Sequence, residues 1–88
     1  MVATFVEIVW HDAHADTTTW IEKDEISENP CVVVSCGILL PEAKPDHIVL
    51  SQSMNSYDQL DCVLSVPVGM VQSMRVLGSG LDATEHLA

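Results

Sequence analysis

At 88 residues the chain has room for one domain with a thin core, since a chain this short buries only about 60–65% of its unfolded surface. Three Lys+Arg against thirteen Asp+Glu give a net charge of −10, which disfavours general binding to nucleic-acid backbones or anionic membranes, both of which need clustered cations. An apolar content of 48%, largely Val, Leu and Ile with few aromatics, excludes a disordered chain and favours strands on a thin core.

The first predicted strand is Val2–Trp10, β-branched and aromatic, with Val2, Val6, Ile8 and Trp10 on one face by period two. Residues 11–18 are short, polar and punctuated by alanine, and read as a loop. Thr19-Trp-Ile-Glu22 fits a capping box with Thr19 as N-cap, followed by about two turns of helix that Asn29-Pro30 stops. An irregular loop is the alternative, because the acidic residues run past the first turn, where the helix dipole no longer favours them.

Cys31–Leu40 is apolar on both faces and is expected at the centre of the sheet, with Gly37 marking a bend or bulge. Residues 41–46 form a turn, His47–Ser53 a third strand, and residues 55–58 a connection. Leu60–Val66 makes the fourth strand, Pro67-Val-Gly-Met70 a tight turn, and Val71–Leu77 the fifth strand. Residues 1–77 are therefore expected to form one small β-barrel domain, and residues 78–88 a polar tail opening at Gly78-Ser-Gly80. Five strands with a central bend suggest closure, which removes the exposed edges that a small flat sheet would present.

Cys31, Cys36 and Cys62 match no zinc or redox spacing, and Cys31 and Cys62 read as small buried hydrophobes in a reducing setting. No basic segment followed by an apolar one opens the chain, and no apolar run approaches a membrane span. A cytoplasmic location with no membrane partner is the expectation.

The order of markers supports a further reading. Trp10-His-Asp12-Ala13 is followed by Trp20 and an acidic segment, then Ser35-Cys-Gly37-Ile-Leu-Leu40, His47-Ile-Val-Leu50, Val66-Pro67, Met70-Val71 and Leu77. Over residues 4–77 this pattern resembles small phage proteins, one type of which has an Sm-like, SH3-type barrel. The resemblance implies a mainly β fold: a five-stranded Sm-like barrel with one short helix between its first two strands. It also implies a tight turn at Pro67, ring formation through strand edges and, if the origin is phage, the cytoplasm of an infected bacterium. Sm-like barrels often bind RNA, whereas this chain has no Lys/Arg-rich loop and a single arginine, Arg75.

Asp12-Ala-His14-Ala-Asp16 looks like the manganese-binding segment of arginase-type ureohydrolases. Two carboxylates and an imidazole suit such an ion, and period two would aim all three one way. A ureohydrolase needs a far longer chain and a second aspartate-rich run, which Tyr57-Asp58-Gln-Leu-Asp61-Cys does not reproduce. The preferred reading is a solvated acidic loop, with a metal site at Asp12, His14 and Asp16 as the alternative.

The remaining candidates are single residues. Cys36 with His47 has no third orienting group, so a packed core cysteine is preferred to a nucleophile. Gly78-Ser-Gly80 lacks the lysine and following helix of a phosphate loop, and Met70 and Met74 read as core or interface. Trp20 and Tyr57 either cap the core or, with Arg75, form a platform for a small ligand such as a nucleotide signal at a subunit interface. The sequence thus reads as a non-enzymatic, self-assembling binding module without a cofactor. A homo-oligomer is the expected partner, and a small molecule or another protein is a possible ligand.

Overall fold

The computed structural model describes residues 2–14 and 19–80. Five antiparallel strands form one sheet: β1 (Ala3–Asp12), β2 (Cys31–Leu39), β3 (His47–Met54), β4 (Leu60–Pro67) and β5 (Val71–Gly80). Their order in the sheet is β4-β3-β2-β1-β5, so β2 lies at the centre, as its continuous apolar run predicts. The sheet is open within the chain, with β4 and β5 as its two edges.

β2, β3 and β4 stop at turns set by backbone chemistry. Between β2 and β3, Glu42 and Asp46 take positive φ, a conformation open at modest cost to a turn residue. The β3–β4 hairpin closes on an Asx turn, in which the Asn55 side-chain oxygen accepts from the Tyr57 and Gln59 amides at 2.9 and 3.0 Å. Pro67 ends β4, and a single 3-10 turn at Val68–Met70 leads directly into β5. The Val68 amide in that turn donates to the Asp46 carbonyl at 2.9 Å, tying it to the β2–β3 connection.

Two expectations change. Among its described residues the connection between β1 and β2 contains only a 3-10 turn at Lys23–Glu25, and its capping box pairs Glu22 with Glu25 rather than Thr19 with Glu22. The segment has no apolar stripe to bury and so no packing to extend it; none of the three residues of the turn is buried. Gly78-Ser-Gly80, expected to open the tail, instead completes β5 opposite Ala3–Phe5. A Cβ on Gly80 would lie 2.5 Å from the Phe5 ring, so glycine is what lets Phe5 cover the end of the strand.

Gly37 sets the shape of the sheet. β2 pairs with β1 over eight residues, from Asp12↔Cys31 to Phe5↔Ile38, but with β3 only at Ile38↔Ser51 and Leu39↔Leu50. A Cβ at position 37 would stand 2.9 Å from the Ser51 carbonyl oxygen and 3.2 Å from the Leu50 Cβ. Its absence lets β3 cross β2 closely and brings the β3–β4 hairpin against β1. Ile8, Val6, Leu50 and Val66 meet there, flanked by Trp10, Leu39, Ile48, Leu64 and Val71. Trp10 keeps its ring on this core while its indole N–H donates to Ser35 Oγ at 3.1 Å.

Candidate assembly surface

The core is small. Val6, Ile8, Ile38, Val49, Leu50 and Val66 are its buried apolar side chains among the described residues. Six such residues give a domain of this size a marginal interior, and small folds compensate with disulfides, metals or association. The three cysteines are free, so no disulfide supplies the missing stability.

Both edges of the sheet carry apolar side chains that the core leaves out, as does the outward face of β2 at Val32 and Val34. On β4, Leu60 is 42% exposed and Val63 51%; on β5, Met74 is 46% exposed, Val76 64% and Leu77 49%. Among the described residues the backbone of each edge has a hydrogen-bonding partner strand on one side only, β3 for β4 and β1 for β5. Neither edge carries a lysine, the commonest device for repelling another strand. The β1–β5 ladder shifts register twice, leaving Leu77 and Gln72 without opposite partners, and such bulges add the coiling that a curved arrangement requires.

Local chemistry shapes the β4 edge at Cys62, whose φ of 51° is the positive value within a strand. The kink disturbs the ladder between Ser51↔Val63 and Ser53↔Asp61. Ser51, fully buried, repairs it: its hydroxyl is shared between the Ser53 carbonyl at 2.7 Å and the Asp61 carbonyl at 2.9 Å. Neighbouring Asp61 accepts a hydrogen bond from the Cys62 thiol, which with the carboxylate's charge raises the thiol pKa above its ordinary value. Cys62 is thereby held protonated and is a weak nucleophile.

On the opposite edge, Arg75 lies across from Glu7 of β1 and binds it in bidentate fashion, Nε to Oε1 at 3.0 Å and Nη2 to Oε2 at 3.3 Å. This contact raises the guanidinium pKa further, chiefly through the hydrogen bonds and then through the charge. The arginine side chain remains 71% exposed. Asp61 was not among the residues singled out from sequence. Its signal was available, since it is the single charged residue in an otherwise uncharged strand, as Arg75 is in β5.

A cleft of about 290 Å³ opens where β2 parts from β3, lined by Ser35, Cys36, Gln52 and Cys62 over Leu50 and Leu64. Cys36 and Cys62 are therefore exposed rather than packed, and Cys31 is half-buried. Hydrophobic neighbours in sequence misled here because one face of each strand looks outward. His47 does not complete a nucleophile pair with Cys36. It begins β3 opposite Pro67, and its Nδ1 lies 2.7 Å from the Pro45 carbonyl oxygen.

The candidate ligand residues are dispersed. Trp20 is fully exposed in the β1–β2 connection and so does not cap the core, and Tyr57, 84% exposed, tops the β3–β4 hairpin. Arg75 lies on β5, separated from that hairpin by β1 and β2. None of the three lines the β2–β3 cleft or the second hollow, which lies beside Asn55 and Gln59 at the hairpin end. Of the acidic motif, Asp12 closes β1 opposite Cys31 and His14 follows exposed beyond the strand, while Asp16 lies outside the described residues. Among the described residues no helix is long and apolar enough to cross a membrane, and no group of three or more His, Cys, Asp or Glu side chains gathers as a metal site. Comparison of the chain with family models, curated proteins and solved structures finds no match in any of the three.

Proposed function

We propose that this chain is a non-enzymatic, self-assembling interaction module whose copies join through the edges of their sheets. The observation that carries this reading is the pairing of a six-residue apolar core with two free edges bearing Leu60, Val63, Met74, Val76 and Leu77. Burying such side chains is worth roughly 25 cal/mol per Å² of apolar surface, and an added strand also satisfies the unpaired backbone groups of the edge. A barrel of the Sm-like, SH3 type is the finer reading of the fold. It draws support from the strand order, the bend at Gly37 and the 3-10 turn joining β4 directly to β5. On this reading curvature is completed by assembly, since β4 and β5 do not pair within one copy. The net charge of −10 supports a role other than binding RNA backbones.

Hydrogen–deuterium exchange at low and high protein concentration tests this reading. Amides of β4 and β5 are expected to gain protection as concentration rises, while those of the central β2 stay constant. Equal exchange of β4 and β5 at all concentrations would remove the edges as the site of association.

A further inference from the structure

We propose that Cys36 and Cys62 form a two-thiolate site for a soft monovalent cation, Cu(I), in the cleft between β2 and β3. The two cysteines come from different strands yet line one cleft of about 290 Å³, beside Ser35 and Gln52 and over Leu50 and Leu64. Both are exposed and both thiols are free, so neither is committed to packing or to a disulfide. The strand pairing explains why they are available. β2 pairs with β3 only at Ile38↔Ser51 and Leu39↔Leu50, and Cys36 lies just beyond the last of these pairs. On the other wall, the positive φ of Cys62 interrupts β4 between Ser51↔Val63 and Ser53↔Asp61.

The donor set selects the ion. Thiolates are soft ligands that favour Cu(I) over hard cations such as Mg(II) or Ca(II). Among the described residues no group of three or more His, Cys, Asp or Glu gathers, so Zn(II), which takes about four ligands, lacks the donors it needs. Cu(I) is satisfied by two thiolates.

Binding is an exchange of protons for the ion, with no redox step. Each sulfur donates a lone pair to Cu(I) and each thiol releases its proton to solvent, leaving an anionic bis-thiolate complex. The proton lost from Cys62 is the one its thiol shares with Asp61. Arg75 stands opposite Glu7, which stands opposite Cys36, and its charge interacts with that of Cys36 across β1. A cation therefore lies near the anionic complex. Leu50 and Leu64 keep one side of the cleft apolar, where such charge interactions are stronger than in water.

Anaerobic titration of the full chain with Cu(I), against bicinchoninate as a coloured competing chelator, tests this with wild type, C36S, C62S and C31S. Wild type is expected to hold one ion per chain. C36S and C62S should each weaken binding at least about a hundredfold, because a chelate loses that much when one of its two ends is removed. C31S should match wild type, since Cys31 pairs with Asp12 and does not line the cleft. Strand content is checked by circular dichroism; should C62S fail to fold at its positive φ, C36S carries the same test from a regular strand. A local readout comes from Trp10, whose indole donates to Ser35 on the cleft wall. In a W20F background, Cu(I) should change Trp10 emission, and C36S should abolish the change. Equal affinity in wild type and C36S, or an equal loss in C31S, overturns the site. Recovery of tight binding on mixing C36S with C62S also overturns it, by showing that the ion bridges two copies instead of two strands of one.

Discussion

Replacing Gly37 by alanine should loosen the joint between the two parts of the sheet. The added methyl would meet the Ser51 carbonyl oxygen at 2.9 Å and the Leu50 Cβ at 3.2 Å, and the first of these is backbone that cannot rotate aside. β3 must therefore retreat from β2 by several tenths of an ångström, at the place where only Ile38↔Ser51 and Leu39↔Leu50 hold the strands together. Overpacking of this kind costs about 1–3 kcal/mol, a large part of the roughly 5–15 kcal/mol that a small domain possesses. Gly69→Ala is the matched control, because nothing lies within 4 Å of its Cβ position and its φ is not positive. It should be neutral or stabilising by about 0.4–1 kcal/mol through the unfolded chain. Urea denaturation at one fixed protein concentration measures both, the fixed concentration being needed because association adds to apparent stability. A G37A protein within about 0.5 kcal/mol of wild type, a typical surface-substitution effect, would refute the idea that the crossing depends on a missing side chain.

Three further outcomes follow from particular contacts. Ile8→Ala empties a fully buried position between Val6, Leu50 and Val66 and should cost about 2–4 kcal/mol in the same denaturation assay. Ser51→Ala leaves the Asp61 carbonyl without its hydroxyl partner beside the Cys62 kink; a loss of about 1–3 kcal/mol is expected, with faster amide exchange confined to β3 and β4. The raised Cys62 pKa gives a pH test: the protonated thiol is the form the fold favours, so its contribution is present at neutral pH and is lost as pH rises through the raised value. Asp61→Asn removes the carboxylate's hydrogen bond and charge, so iodoacetamide should modify Cys62 at lower pH in D61N than in wild type, read by peptide mass spectrometry. Coincident profiles would show that Asp61 does not control this thiol.

The strands were legible because β-branched runs alternate with Pro, Asp, Asn and Gly at each turn, and every observed strand lies within about three residues of its expected span. Gly37 was legible for the same reason, since a glycine inside an apolar run has few uses other than close approach. Burial was not. Cys62 and Val63 sit in an apolar stretch, yet the stretch forms an edge strand, and an exposed hydrophobic side chain has the same sequence signature as one in a core. Trp20 misled in the same way, as its size suggested a cap for the core and it is wholly exposed. The acidic motif from Asp12 depends on period-two geometry that holds only inside a strand, and β1 ends at Asp12. Asp61 entered the sequence reading only within a run that failed as a ligand set, because the place of a lone aspartate on an edge strand shows only once the strand order is known.

Sedimentation velocity across roughly the micromolar range, where specific subunit contacts commonly form, tests the central claim of assembly through sheet edges most directly. A single oligomeric boundary is predicted for the wild type, reverting to monomer when lysine replaces both Val63 and Val76 on the two edges. A wild-type protein that sediments as a folded monomer throughout that range would contradict it.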